Sequence, residues 1–124
     1  MTIIILEPDR IIARLLKQKI VDKNVVCNIA STPDEAMLLI DKQIPDAIIT
    51  ELSLSNHSAL EFLYEMRTYV DVQYTPVYIY SSVLLDSSVL ESSDWGLLKI
   101  AEYFYKPHTD IDTVVECVAS LVEA

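Results

Sequence analysis

The sequence predicts a single α/β domain, residues 1–124, whose parallel five-stranded sheet is covered by helices on both faces. Its 124 residues suffice for one domain, and 52% apolar against 23% charged residues provide a sizeable core. Short apolar runs alternate along the chain with segments of helical periodicity. The strand runs are almost continuously apolar, as in parallel strands buried on both faces, and right-handed crossovers then place a helix between successive strands. The predicted architecture is therefore a three-layer sandwich.

The first half of the chain predicts three strands and two helices. The second helix has the clearest start, because Thr32 can cap it, Pro33 suits the first helical position and Glu35 can complete a capping box. The predicted elements are, in order, a strand at 3–6, a helix at 9–20, a strand at 24–30, a helix from 32, a strand at 47–50 and a polar loop at 51–57.

The second half predicts the remaining two strands and three helices. Ser58 and Glu61 form a second capping box, and the helix that they begin runs toward Val70. The remaining predictions are a strand at 77–80, a short fourth helix within 82–99 indicated by Val89, Leu90 and Leu97, a strand at 103–105 and a closing helix at 109–122.

The composition excludes several classes of function. Gly96 is the only glycine, whereas glycine-rich dinucleotide loops and the Walker phosphate loop each need at least two. The net charge of −10 argues against binding to nucleic acids and anionic membranes. No apolar run reaches the ~20 residues of a spanning helix and no signal cleavage site is evident, so a cytoplasmic location is expected. Cys27 and Cys117 lie in apolar patterns, which favours buried thiols over a disulfide or a metal site.

Residues that could carry chemistry stand where the predicted strands end. In open parallel sheets, ligands bind outside the carboxyl ends of the strands. The residues at these ends are Glu7, Pro8 and Asp9 after the first strand, Glu51 after the third, Ser81 and Ser82 after the fourth, and Lys106 after the fifth.

Four segments at these strand ends resemble the receiver domain of two-component response regulators, a chemotaxis-regulator-like, flavodoxin-like fold with strand order 2-1-3-4-5. They are IIILEPD at 3–9, DAIITEL at 46–52, PVYIYSS at 76–82 and YFYKP at 103–107. The resemblance implies that two acids after the first strand and an aspartate after the third bind Mg²⁺. It also implies that this aspartate accepts a phosphoryl group from a histidine kinase, while a hydroxyl and a lysine bind the phosphoryl oxygens.

The match to this pattern is partial. Glu7 falls on the first acid, Pro8 on the second, Glu51 on the phosphoacceptor, Ser81 on the hydroxyl, Lys106 on the lysine and Tyr103 on the aromatic switch position. Pro8 has no carboxylate, so a hard cation loses an oxygen ligand, and Asp9 is displaced by one position. Glu51 extends its carboxylate by about 1.5 Å, and a misplacement near 1 Å can cost ~100-fold in rate. We therefore expect Glu51 to reach Lys106 as an ion pair that occupies part of the acyl-phosphate site.

These observations predict a degenerate receiver, a pseudo-receiver, that binds another signalling protein and is not an enzyme. The resemblance implies that the fourth helix, the fifth strand and the fifth helix carry the output, with Trp95, Tyr103 and Tyr105 as candidate contacts. The partner would be a histidine kinase or a downstream effector, and the net charge favours a basic partner surface. A homodimer through the same face is an open alternative. No cofactor is expected.

Other interpretations of the same residues stay open. In the main alternative, the chain is an active phosphoreceiver that binds Mg²⁺ through Glu7 and Asp9, with Glu51 as the third carboxylate. Ser81 and Lys106 can also be elements of the fold alone, with Lys106 relieving the repulsion between leftover carboxylates. An FMN carrier is disfavoured, because the acids after the first strand would repel an anion. His57 and His108 are expected to be solvated loop residues.

Two positions lack a glycine that receiver domains commonly have. Ala59 stands after the acceptor loop and Lys99 stands at the end of the predicted fourth helix. Because glycine allows positive φ at little cost, we expect locally reshaped loops at both positions.

Overall fold

The computed structural model describes residues 1–54, 57–85 and 93–123. Its strands are β1 (Thr2–Leu6), β2 (Val26–Ala30), β3 (Ala47–Thr50), β4 (Ser53–Leu54), β5 (His57–Ser58), β6 (Val77–Ser81) and β7 (Ile100–Tyr105). Its helices are α1 (Arg10–Val21), α2 (Pro33–Lys42), α3 (Ala59–Met66), α4 (Ser93–Leu97) and α5 (Ile111–Glu123), with 3₁₀ turns at Val70–Val72 and Lys106–His108.

The main sheet has five parallel strands in the order β2-β1-β3-β6-β7. β4 and β5 pair separately, as a short antiparallel ladder. When only the strands of the main sheet are numbered along the chain, their order is 2-1-3-4-5, which confirms the predicted fold and strand order. The register aligns the carboxyl ends of the strands, with Leu6 opposite both Ala30 and Thr50. The next residues continue the ladder, since the Glu7 N–H donates to the Ala30 carbonyl at 3.0 Å and the Glu51 N–H to the Leu6 carbonyl at 3.0 Å. Glu7 and Glu51 therefore leave the sheet side by side.

Each face of the sheet carries its own hydrophobic core. Side chains alternate along a strand, so Ile3 and Ile5 pack with α1 and α5, whereas Ile4 and Leu6 pack with α2, α3 and α4. All four are at most 1% exposed. Both faces of the sheet are thus covered by helices, and the carboxyl ends of its strands are left to form a site.

Several helix ends follow the sequence signals. The Thr32 hydroxyl caps α2 by accepting the Glu35 N–H at 3.2 Å, although Glu35 reaches back to the Ser31 N–H at 2.8 Å rather than to that of Thr32. Ser58 caps α3 by accepting the Leu60 N–H at 3.2 Å.

Other boundaries differ from the prediction for identifiable reasons. β2 begins at Val26 rather than at Asn24, because Asn24 adopts a positive φ of 62° in the turn that ends α1. The predicted polar loop 51–57 contains β4 and the start of β5, which are paired through their backbones. β7 begins at Ile100, where the edge strand first pairs with Val77, and not at Tyr103.

The helices in the second half are shorter than predicted. α3 ends at Met66, and the Arg67 guanidinium folds the chain back by donating to the carbonyls of Val72 (2.5 Å), Thr75 (2.7 Å) and Leu98 (2.5 Å). α5 begins at Ile111, after the 3₁₀ turn. A short helix is present at Ser93–Leu97, while Val89 and Leu90, which also indicated it, lie outside the described residues.

Lys99 and Ala59, the two positions where the resemblance implies a glycine, differ in backbone conformation. Lys99 keeps the left-handed backbone that a glycine would favour, with φ at 59°, whereas Ala59 does not have a positive φ and simply begins α3.

Cys27 is buried and Cys117 is half-buried, and both are free thiols. Among the described helices, none combines the length and the apolar character needed to cross a membrane.

Candidate functional site

Four side chains, each at the carboxyl end of a different strand, meet at one end of the sheet. We call Glu7, Glu51, Ser81 and Lys106 the acid pocket. Glu7 and Glu51 are only 4% and 5% exposed, and Ser81 is fully buried at the end of β6. Lys106 reaches over them from the end of β7, and its side chain is 15% exposed. The site thus brings together residues that the sequence places up to a hundred positions apart.

The Glu51 carboxylate accepts four hydrogen bonds. Its Oε1 accepts from the Ser81 hydroxyl and from the backbone N–H groups of Leu52 (2.9 Å) and Ser53 (3.2 Å). Its Oε2 lies 2.5 Å from the Lys106 ammonium. The predicted ion pair between Glu51 and Lys106 is therefore present.

Lys106 also holds the second acid. Its Nζ lies 2.6 Å from Glu7 Oε1, while Glu7 Oε2 accepts the Asp9 N–H at 3.2 Å. The ammonium lies 5.5 Å from the centre of the Tyr80 ring, a cation–π distance. Two carboxylates thus share one cation in a nearly dry site, and a net charge of −1 remains there.

The two carboxylates differ in acidity because their partners differ. Burial raises the pKa of Glu7 above its usual value, and the Lys106 contact only partly offsets this. Burial acts in the same direction on Glu51, but the hydrogen bonds from Lys106, Ser81 and Ser53 outweigh it and lower the pKa of Glu51. Burial lowers the pKa of Lys106, yet the contacts with Glu51 and Glu7 leave it above its usual value. Glu51 is therefore the more firmly ionised acid.

The other two residues after β1 do not join the acid pocket. Pro8 is half-buried and offers no side-chain ligand. Asp9 is exposed and caps α1, because its Oδ1 accepts the N–H groups of Ile11 (2.9 Å) and Ile12 (3.4 Å).

The resemblance implies a Mg²⁺ site made of the acids after β1 and β3, and the arrangement here does not fit one. Glu7 and Glu51 each direct an oxygen at Lys106 rather than at a common cation position. Asp9 uses its carboxylate as a helix cap. Within residues 1–54, 57–85 and 93–123, no three acidic, histidine or cysteine side chains are grouped closely enough to hold an ion.

A chain of contacts leads from the acid pocket to the fourth helix. The Ser81 hydroxyl, which donates to Glu51, also accepts the Val83 N–H at 3.1 Å. The Val83 carbonyl accepts a hydrogen bond from the Tyr103 hydroxyl. The Tyr103 ring meets Trp95 edge to face, with ring centres 6.0 Å apart. We call these five residues the relay; Val83 takes part through its backbone, and no sequence signal indicated it.

The aromatic residues predicted as partner contacts are not equally accessible. Trp95 is only 9% exposed and packs in the core beneath α4. Tyr103 and Tyr105 are half-buried, and Tyr105 packs edge-on against His108 with ring centres 5.0 Å apart. His108 itself is exposed, whereas the side chain of His57 is outside the description. Leu97 on α4 is instead 64% exposed, and Leu84 in the loop after β6 is 71% exposed.

Solved structures provide the comparison for this arrangement. The chain is similar to a two-component response regulator from Clostridium difficile, with a TM-score of 0.83, 20% identity and coverage of 99% of this chain and 96% of that one. It is also similar to the receiver domain of the Francisella response regulator 1452, with a TM-score of 0.81, 22% identity and coverage of 98% and 96%. This chain has the receiver fold. A sensor protein from Polaromonas sp. JS666 is similar in the same way, with a TM-score of 0.82, 17% identity and coverage of 98% and 95%.

The similarity to these three proteins is one of fold. No protein-family model and no curated protein gives a significant match to the sequence. On the receiver fold, Glu51 directly follows β3 and Lys106 directly follows β7, the positions to which the sequence resemblance assigned the phosphoacceptor and the lysine.

Proposed function

We propose that this chain is a receiver module of two-component signalling in which Glu51 permanently occupies the phosphoryl site. It would act by binding another signalling protein and not by accepting phosphate. One observation carries the proposal. Ser81 and Lys106, which by resemblance would bind phosphoryl oxygens, here bind the two oxygens of Glu51, together with the N–H groups of Leu52 and Ser53.

The same contacts argue against phosphorylation of Glu51. Phosphoryl transfer depends on positioning the reacting groups and on cations that neutralise the developing charge. Both Glu51 oxygens are already engaged, and the lysine that would stabilise the incoming group is neutralised by two carboxylates. With Pro8 in place of an acid and Asp9 capping α1, a bound Mg²⁺ would have to displace Lys106 from Glu7 and Glu51. We therefore infer that the module works without a metal or other cofactor.

The relay would couple Glu51 to a binding surface at α4 through Trp95 beneath that helix. Because Ser81 donates to Glu51, its hydroxyl oxygen is oriented to accept the Val83 N–H, and the Val83 carbonyl in turn holds the Tyr103 hydroxyl. The carboxylate would thus fix the loop after β6 and the inward position of Tyr103 in one state. The output face would be formed by α4, β7 and α5, and its partner in the cytoplasm would be a histidine kinase, a downstream effector or a second copy of the chain.

Intact-mass measurement after incubation with acetyl phosphate and Mg²⁺ tests this function. We expect the wild-type mass to stay unchanged, because no carboxylate oxygen is free in the acid pocket. The double variant Pro8→Asp/Glu51→Asp, which restores both acids of the family pattern, is the matched comparison. A stable gain of one phosphoryl group by the wild type would contradict the proposal. It would favour the active phosphoreceiver that uses Glu7 and Asp9.

A further inference from the structure

The positive charge of this acidic chain is concentrated in one segment. Five of the nine basic residues lie within 10–23, namely Arg10, Arg14, Lys17, Lys19 and Lys23. Asp22 is the only acid in that segment, so its net charge is 5 − 1 = +4, while the rest of the chain carries 4 − 18 = −14. Helix α1 and the turn after it are therefore a cationic region on an anionic molecule.

A cleft of about 170 Å³ lies at the start of this region, between α1 and the loop that joins β2 to α2. Arg10 and Arg14 stand one helical turn apart and both line it, and Ser31 lines it from the opposite loop. Ala13 and Ile29 form its apolar lining. The cleft thus presents two guanidinium groups and a hydroxyl, all hydrogen-bond donors.

Among the described residues, Arg10 and Arg14 are cations without a partner. Across the described ranges, neither the Arg10 nor the Arg14 guanidinium takes part in an ion pair or a side-chain hydrogen bond. By contrast, Lys19 pairs with Asp112 at 2.6 Å, and Arg67 donates to three backbone carbonyls.

Glu7 also lines the cleft, but it does not neutralise the arginines. Its Oε1 is held by Lys106 and its Oε2 accepts the Asp9 N–H, so both oxygens already have a partner other than the arginines. The positive charge of the cleft is therefore available to a ligand.

From these observations we infer that the cleft binds a phosphoryl group without reacting with it. The planar guanidinium fork matches the spacing of phosphoryl oxygens, and charge-assisted pairs of this kind are strong. Two such groups and a hydroxyl suit a tetrahedral dianion. Drug-sized ligands occupy pockets of roughly 300–1,000 Å³, so this cleft accommodates the oxyanion alone, and the remainder of the ligand stays outside. The phosphoryl group could belong to free phosphate or to a phosphorylated side chain of a protein.

Titration of the intact chain with inorganic phosphate, followed by amide NMR at constant ionic strength in sodium chloride, tests the inference. We expect saturable shifts at residues 10, 14 and 31. The variant Arg10→Gln/Arg14→Gln should weaken binding by about tenfold or more, since each charge-assisted hydrogen bond contributes strongly. The control Lys17→Gln/Lys23→Gln removes the same charge from the same segment outside the cleft and should bind like the wild type.

Two outcomes would overturn the inference. One is the absence of saturable shifts in the wild type. The other is an equal loss in both double variants, which would mean general attraction to a cationic helix. A phosphoserine peptide and its unphosphorylated form, titrated in parallel, distinguish the sources of the phosphoryl group. Tighter binding of the phosphopeptide than of inorganic phosphate indicates a protein ligand, and equal or weaker binding indicates free phosphate.

Discussion

Glu7 and Glu51 share the cation of Lys106 but are not equivalent. Glu51 receives hydrogen bonds from a lysine, a hydroxyl and two backbone N–H groups, whereas Glu7 receives only those of Lys106 and the Asp9 N–H. A buried charge is tolerated only when it is well paired. The ionised form of Glu51 thus stabilises the fold, whereas the ionised form of Glu7 destabilises it.

Opposite effects on stability are therefore expected from two isosteric substitutions. Glu51→Gln should lower the free energy of unfolding at neutral pH by about 1–3 kcal/mol, because it breaks the better-paired contact. Glu7→Gln should leave it within about 1 kcal/mol of the wild type or raise it, because a single Glu51–Lys106 pair remains. Urea denaturation of the three proteins measures the difference, and a larger loss for Glu7→Gln would refute this assignment.

The two substitutions should also change the pH dependence of the free energy of unfolding in different pH ranges. The folded pKa of Glu7 lies above its usual 4.5, so its contribution is present below pH 4.5 and is lost as pH rises through the folded pKa. The folded pKa of Glu51 lies below 4.5, so its contribution is present above pH 4.5 and is lost as pH falls through the folded pKa. Stability relative to the wild type should therefore change above pH 4.5 in Glu7→Gln and below it in Glu51→Gln.

The backbone of Lys99 is strained. Its φ of 59° is left-handed, a conformation that costs a residue with a Cβ atom about 1–2 kcal/mol. Replacement by glycine should raise the free energy of unfolding by about 0.5–1 kcal/mol. Asn24→Gly is the control, because asparagine tolerates its φ of 62° and should gain less. Equal melting temperatures for Lys99→Gly and the wild type would show that the strain is absent.

At the scale of elements, the sequence predicted best the strands that are buried on both faces. β3 has the predicted bounds, because Ala47, Ile48 and Ile49 form an apolar run between clear turn signals and Thr50 completes it before the polar loop. The edge strand β7 begins three residues earlier than predicted, since the exposed Ala101 and Glu102 hide the pattern while backbone pairing with β6 defines the strand. The β4–β5 pair was missed for a similar reason, because it is made by backbone contacts between short polar segments.

For the candidate site, the sequence predicted which side chains the ends of the strands bring together. The contact between Glu51 and Lys106 follows from the fold and from the added methylene of glutamate. The burial of Trp95 and the role of Val83 were not predictable, because they depend on how these two residues contact Tyr103 of β7. Periodicity identifies which face of an element is apolar, and it contains no information about such loop contacts.

For the whole molecule, charge and contacts divide the surface into regions with different expected partners. The segment 10–23 is positive although the chain carries −10. The relay extends from the acid pocket to Trp95, so one buried carboxylate is connected to the core beneath α4. A basic partner is therefore expected only on surfaces away from α1.

We propose that Glu51 stands in for a phosphoryl group and holds Tyr103 and Trp95 in one state. The indole N–H resonance of Trp95 reports on it directly, because the chain has a single tryptophan. Glu51→Ala removes the acceptor of Ser81 and leaves a balanced Glu7–Lys106 pair, whereas Asp41→Ala removes the same charge from the exposed surface of α2. We predict that the Trp95 resonance shifts in Glu51→Ala and stays at its wild-type position in Asp41→Ala. An unchanged Trp95 resonance in Glu51→Ala would contradict the claim.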